Sequence, residues 1–109
     1  MRKLKQERRP AYYAKQRQKY CIADCDVWEF DDTLCHIIIR GCKRLKKHQS
    51  GYPAVLRDQQ YWHVILSKII RGFELNLRLM EKAKLTEVEE RQMKEGMQLF
   101  IRYFNALWD

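Results

Sequence analysis

Apolar residues recur along most of the chain at the three- and four-residue spacing of an amphipathic helix, rather than in the alternation of a strand. This spacing predicts three helices. The first predicted helix carries its apolar stripe on Phe30, Leu34, Ile38 and Leu45, widened by Ile37 and Cys42. Asp26, Asp31 or Asp32 can cap the start of this helix. The helix ends near His48, before the turn residues 50–53.

The second and third predicted helices have clearer start signals. Asp58 is a suitable cap for the second helix, which runs to about Glu81. Its apolar face consists of Trp62, Ile65, Leu66, Ile69, Ile70 and Phe73. Thr86 and Glu89 have the spacing of a capping box before the third helix. Its stripe consists of Met93, Met97, Phe100, Phe104 and Leu107.

The helical pattern predicts an all-α protein. We expect a small antiparallel three-helix domain over residues 21–109. A basic N-terminal extension over residues 1–20 precedes it and is either partly helical or disordered. At 109 residues the chain fits one domain.

Each predicted helix contains one glycine, namely Gly41, Gly72 or Gly96. A glycine inside a helix costs about 1 kcal/mol relative to alanine. Close approach of two helix backbones, or of a bound partner, would offset that cost. The alternative for Gly41 is a break in the first helix. Because all three helices share the feature, the pattern favours close contact between helices.

The aromatic residues divide into core candidates and open positions. Helical spacing places Trp62, Phe73, Phe100 and Phe104 in the core. Trp28, which precedes the first predicted helix, and Trp108 either close the ends of the bundle or offer apolar surface to a partner.

The net charge of +8 is unevenly distributed. Residues 1–19 hold eight lysines and arginines against a single acid, and residues 40–47 form a second basic cluster. Such clusters attract phosphates or an acidic protein surface. The candidates for this contact are Arg8, Arg9, Lys15, Arg17, Lys19, Arg40, Lys43, Arg44, Lys46 and Lys47. Tyr12, Tyr13, Trp28 and Trp108 are candidate partner anchors. The alternative for the extension is a solvated tail that keeps a small domain soluble.

The sequence predicts neither a membrane segment nor secretion. Its apolar runs are far shorter than the roughly 20 residues of a membrane-spanning helix, and no signal-peptide core is present. We therefore expect an intracellular protein whose four cysteines are small buried hydrophobes rather than disulfides.

No metal, cofactor or catalytic motif is evident. Cys21 and Cys25 have zinc-knuckle spacing, but Cys35 and Cys42 would lie about 10.5 Å apart along one helix. The chain lacks a P-loop, a dinucleotide fingerprint and a zinc-protease motif, and its three histidines have no spaced nucleophile partner. We therefore expect a protein that is not an enzyme and that holds no cofactor and no metal.

Four segments in a fixed order carry a resemblance: Cys25–Trp28, Gly51–Pro53, Trp62–Glu74 and Glu95–Asp109. Together they resemble a family of small bacteriophage and prophage proteins of uncharacterised activity. The resemblance covers about residues 21–109 and excludes the basic extension. It implies a phage gene product in the cytoplasm of an infected host cell, and it transfers no activity and no functional residues.

We expect a non-enzymatic interaction protein that docks on a host or phage protein or nucleoprotein complex, for example as an inhibitor of host defence or of nucleic-acid machinery. One alternative is direct nucleic-acid binding of low specificity through the basic residues. A further alternative is a structural component of the virion. The sequence leaves the oligomeric state open.

Overall fold

A computed structural model describes residues 10–49, 51–56 and 58–108. Within these ranges the protein is all-α and contains no strand, so the predicted fold class is confirmed. The α-helices are α1 (Pro10–Tyr20), α2 (Asp24–Trp28), α3 (Phe30–His48), α4 (Gln59–Met80) and α5 (Glu87–Arg102). Single 3-10 turns cover Ala54–Leu56 and Phe104–Ala106. The candidates Arg8 and Arg9 lie outside the described residues, as do Ser50 and Asp109.

The chain divides into two compact units, with the boundary between Leu34 and Cys35. In the first unit, helices α1 and α2 enclose a small core of Tyr13, Ala23 and Cys25. The Trp28 ring packs edge-to-face on Tyr13, with 5.8 Å between the ring centroids. This unit includes residues 10–20 of the predicted extension, which form α1.

The first predicted helix corresponds to α3, and the short helix α2 before it was not predicted. The backbone leaves the helical conformation at Glu29, which separates α2 from α3. The predicted aspartate cap is wrong because Asp26 lies inside α2, where its carboxylate accepts a hydrogen bond from the Ala23 N–H at 2.9 Å. Asp31 and Asp32 lie within the first turn of α3. The end of α3 at His48 is confirmed.

The predicted starts of α4 and α5 are confirmed. The Asp58 carboxylate accepts from the Gln60 N–H at 2.8 Å, which satisfies one of the free donors at the start of α4. At the start of α5, Thr86 Oγ1 accepts from the Glu89 N–H and the Glu89 carboxylate accepts from the Thr86 N–H, both at 3.1 Å. This is the reciprocal pair of a capping box.

Helices α4 and α5 form an antiparallel pair in the second unit. Trp62, near the start of α4, packs against Tyr103, which follows α5, with ring centroids 5.6 Å apart. Arg78, near the end of α4, binds Glu89 in the first turn of α5 at 2.7 Å. One cluster of buried side chains in this unit consists of Cys35, Ile39, Cys42, Trp62, Ile65, Leu66, Ile69, Ile70 and Phe73. The antiparallel arrangement of all three predicted helices stays a prediction.

The glycine prediction is confirmed for two positions and wrong for the third. A Cβ on Gly72 would lie 2.8 Å from the Gly96 Cα, and a Cβ on Gly96 would lie 2.7 Å from the Gly72 Cα. The α4 and α5 backbones therefore touch at these glycines. A Cβ on Gly41 would meet nothing within 4 Å, and α3 continues through this residue. Gly41 therefore neither packs against another described helix nor breaks α3.

The aromatic residues predicted to lie in the core differ in their exposure. Trp62 is fully buried and Phe73 is 7% exposed, as predicted. The prediction is wrong for Phe104, which is 60% exposed and packs edge-to-face on Phe100. Phe104 follows the end of α5 and begins a 3-10 turn, so the helical spacing no longer places it on the buried side.

Among the described residues, every helix is too short or too polar to cross a membrane.

Candidate functional site

The buried side of α3 defines which of its residues face outward. Cys35, Ile39 and Cys42 are spaced four and three residues apart and are buried in the second unit. Since 3.6 residues make one turn, Ile37, Gly41 and Arg44 follow one another along the opposite side of the helix. The Ile37 side chain is 58% exposed, and Gly41 and Arg44 are exposed as well.

Three of the five basic candidates on α3 form no ion pair with a described residue. Arg40, Arg44 and Lys47 are exposed, and no ion pair or hydrogen bond of their side chains occurs within the described ranges. The other two are engaged elsewhere. Lys43 forms an ion pair with Glu74 at 3.7 Å, and the Lys46 ammonium donates to Ser67 Oγ at 2.7 Å.

We call the residues Ile37, Arg40, Gly41, Arg44 and Lys47 the α3 outer face. Arg40 and Lys47 are seven residues apart, which corresponds to about 10.5 Å along the helix axis. The acids of α3 lie in its first turn, so no acid interrupts this row of bases. The face thus combines exposed apolar surface, an open glycine and a local positive potential.

The basic candidates on α1 are used differently. Arg17 binds the Asp26 carboxylate through two hydrogen bonds of 2.8 and 2.7 Å. Hydrogen bonding between them raises the pKa of Arg17 and lowers the pKa of Asp26. Arg17 therefore joins α1 to α2 rather than extending toward a ligand. The Lys19 ammonium lies 5.3 Å from the centroid of the Tyr20 ring, and Lys15 is exposed.

The four candidate anchors differ in exposure. Tyr13 is 4% exposed, which places it in the core of the first unit rather than on a surface that a partner can reach. Trp28 is half-buried against Tyr13. Tyr12 is 46% exposed and Trp108 is 70% exposed. Of the four anchors, only Tyr12 and Trp108 are exposed over about half of their residue surface or more.

Sequence reasoning missed Gln49, a buried polar residue of the second unit. Its carboxamide oxygen accepts from the Trp62 indole N–H at 2.7 Å. Its amide nitrogen donates to the carbonyls of Ala106 at 3.1 Å and Trp108 at 2.6 Å. A cavity of about 320 Å³ lies beside it, lined by Gln49, Gly51, Tyr52, Pro53, Asn105, Ala106 and Trp108. The only sequence signal was a polar residue between a helix and a turn.

A second cavity, of about 420 Å³, opens on the surface of α4 and α5. Its bases face acids: Lys68 lies 3.4 Å from Glu95, and Arg71 lies 3.6 Å from Glu89. His63, at its edge, lies 3.2 Å from the Gln59 amide. These polar groups are occupied by one another and do not form a nucleophile with a base.

The cysteines are mostly packing residues. Cys25, Cys35 and Cys42 are buried as predicted, whereas the prediction is wrong for Cys21, which is exposed. Burial raises the pKa of the Cys25 thiol, and it raises the pKa of Cys42 to about 11. In the described ranges no three His, Cys, Asp or Glu side chains come together to hold a metal ion.

No family model matches this chain, and no curated protein and no solved structure matches it.

Proposed function

We propose that the protein is a non-enzymatic interaction protein that docks on an acidic surface of a partner protein through the α3 outer face. The observation that carries the proposal is the row of Arg40, Arg44 and Lys47, whose charges the described chain leaves without partners. The resemblance to phage proteins supports a site of action in the cytoplasm of an infected bacterial cell. An antiparallel three-helix domain with a basic extension is the architecture that we propose for it.

The composition of the face favours a protein over nucleic acid. Phosphate contacts need cations but gain nothing from an exposed isoleucine. The centres of protein interfaces bury apolar side chains, with charges at the rim that steer and orient the partner. Ile37 beside Arg40 and Arg44 fits that pattern. Direct nucleic-acid binding, the alternative, needs only the bases.

A titration against two polyanions tests the proposal. Labelled poly-L-glutamate and a DNA duplex of matched charge number are titrated with the protein at two salt concentrations, and binding is read by fluorescence anisotropy. The test variant carries Arg40→Glu, Arg44→Glu and Lys47→Glu. The matched control carries Lys84→Glu, Arg91→Glu and Lys94→Glu, which are exposed bases outside α3 with the same total change in charge.

We expect the α3 variant to lose at least tenfold in affinity for poly-L-glutamate and the control to lose about threefold or less, because only the former removes the local positive potential. Equal losses in the two variants would overturn the α3 outer face as the contact. Much tighter binding of the duplex than of poly-L-glutamate, lost with the α3 variant, would replace the proposal with nucleic-acid binding.

A further inference from the structure

We infer that the occupant of the α3 outer face is an amphipathic helix of a different protein, which crosses α3 at Gly41 and presents acidic residues to Arg40, Arg44 and Lys47. The inference rests on the proposed function and specifies the partner of that same face.

Gly41 is the first ground for a helical occupant. A glycine in the interior of a 19-residue helix costs about 1 kcal/mol relative to alanine. At Gly72 and Gly96 the close contact between α4 and α5 accounts for the glycines, whereas at Gly41 the space within 4 Å is empty. A position without a side chain is where a second backbone can approach α3 most closely. The open space lies on the exposed side, so the helix that uses it comes from outside the described chain.

The surroundings of Gly41 match one face of an amphipathic helix. Ile38 and Leu45 are half-buried along one edge of the exposed side, and Ile37 lies one turn before Gly41. By helical geometry, Arg40 and Lys47 lie along the other edge. A partner helix with an apolar stripe at intervals of three and four residues, flanked on one side by acids, is complementary to both edges.

Charge decides between a partner and a second copy. A two-fold interface places the same patch on both subunits. Two copies joined through this face would bring the two rows of bases together, and each chain already carries a net charge of +8. Like charges at that distance repel, whereas the carboxylates of an acidic helix attract. A second copy is therefore the disfavoured occupant.

Two helical peptides of identical composition test the inference. The facial peptide carries leucines at intervals of three and four residues with glutamates along one flank, and the reordered peptide distributes the same residues around the helix. Each labelled peptide is titrated by fluorescence anisotropy against the wild type, Gly41→Leu and Gln98→Leu. Gln98 is an exposed position on α5, so its substitution is a control for an added leucine.

The wild type and Gln98→Leu should bind the facial peptide at least tenfold more tightly than the reordered one. Gly41→Leu should lose this preference because its side chain fills the crossing point. Circular dichroism checks that each variant is folded. Ile37→Ser, a second variant of the α3 outer face, should also weaken the preference for the facial peptide. Equal affinity of the wild type for the two peptides would overturn the inference while poly-L-glutamate still binds. If poly-L-glutamate binding does not depend on the α3 bases, the proposed function itself fails. Self-association of the free protein that Gly41→Leu abolishes would overturn the inference in favour of a second copy.

Discussion

Substituting alanine for Gly96 places a methyl group where the two helix backbones already touch. The new Cβ would collide with the Lys68 carbonyl oxygen and would lie 2.7 Å from the Gly72 Cα and 3.0 Å from the Gly72 nitrogen. All three obstacles are backbone atoms, so no side-chain rotation relieves the contact. The helices must move apart or α5 must shift along α4.

Two opposing effects determine how much Gly96→Ala changes the free energy of unfolding. Alanine gains about 1 kcal/mol over glycine in helix propensity. Restoring an ordinary contact of 3.4 Å to the Gly72 Cα, from 2.7 Å, separates the helices by about 0.7 Å, and the closer Lys68 carbonyl oxygen requires more. A gap of that size forfeits roughly a quarter to a half of the dispersion attraction between facing atoms. Overpacking of this kind costs about 3 kcal/mol at the upper end of its usual range. We expect Gly96→Ala to lower the free energy of unfolding by about 2 kcal/mol.

Urea unfolding followed by circular dichroism at 222 nm measures this change, with the slope of the transition checked for constancy. Gly72→Ala should also destabilise the protein, because its Cβ would lie 2.8 to 3.2 Å from three backbone atoms of α5. Gly41→Ala is the matched control. Its Cβ meets nothing within 4 Å, so only the propensity gain remains and the protein should become about 1 kcal/mol more stable.

The reasoning would be refuted if all three alanine substitutions stabilised the protein to the same extent. That result would mean that α4 and α5 are separated enough to accept a methyl group between them. Destabilisation by Gly41→Ala would refute the other half of the argument, because it would reveal a packed neighbour at a position where the space is open.

Three further changes have defined outcomes. Lys82 follows the end of α4 and has the left-handed conformation, with φ of 64°, so Lys82→Gly should raise the free energy of unfolding by up to about 1 kcal/mol; an unchanged melting temperature would contradict this. A thiol reagent should modify exposed Cys21 at once and buried Cys42, whose pKa is about 11, only as fast as the protein unfolds; equal rates would show that Cys42 is accessible. Arg17 lowers the pKa of Asp26 below its ordinary value of 3.8. The ion pair between them therefore stabilises the folded protein fully above pH 3.8, and this stabilisation is lost as the pH falls through the lowered pKa of Asp26. In Arg17→Met the pKa of Asp26, followed by NMR, should rise and stability should fall less steeply in acid; an unchanged pKa would exclude Arg17 as the cause.

The parts of the fold that sequence predicted are those decided locally. Asp58 at α4 and Thr86 with Glu89 at α5 form their cap hydrogen bonds with residues at most three positions away. The start of each helix can therefore be predicted from the adjacent sequence. Helix α2 was missed because its five residues are too few for a helical spacing of apolar residues to show. Which glycine meets which is a tertiary fact: spacing alone did not separate Gly41 from Gly72.

The candidate site shows the same division. Sequence identified the basic cluster on α3 as a set, yet it did not indicate which members the fold uses. Lys43 and Lys46 are engaged by Glu74 and Ser67, both on α4, and the remaining bases are unpaired because no described acid reaches them. Gln49 was missed for a related reason, since its partners lie far away in sequence.

The Gln49 carboxamide has a kinetic consequence. Its hydrogen bonds to the carbonyls of Ala106 and Trp108 join positions 57 and 59 residues apart, whereas its bond to Trp62 spans 13 residues. Closing the longer loops costs more chain entropy, so we expect these contacts to form late in folding, after the local helices have assembled. Interactions made after the transition state slow unfolding and leave the folding rate nearly unchanged. We therefore expect the Gln49 side chain to affect how long the 3-10 turn at Phe104–Ala106 stays docked more than how quickly it docks.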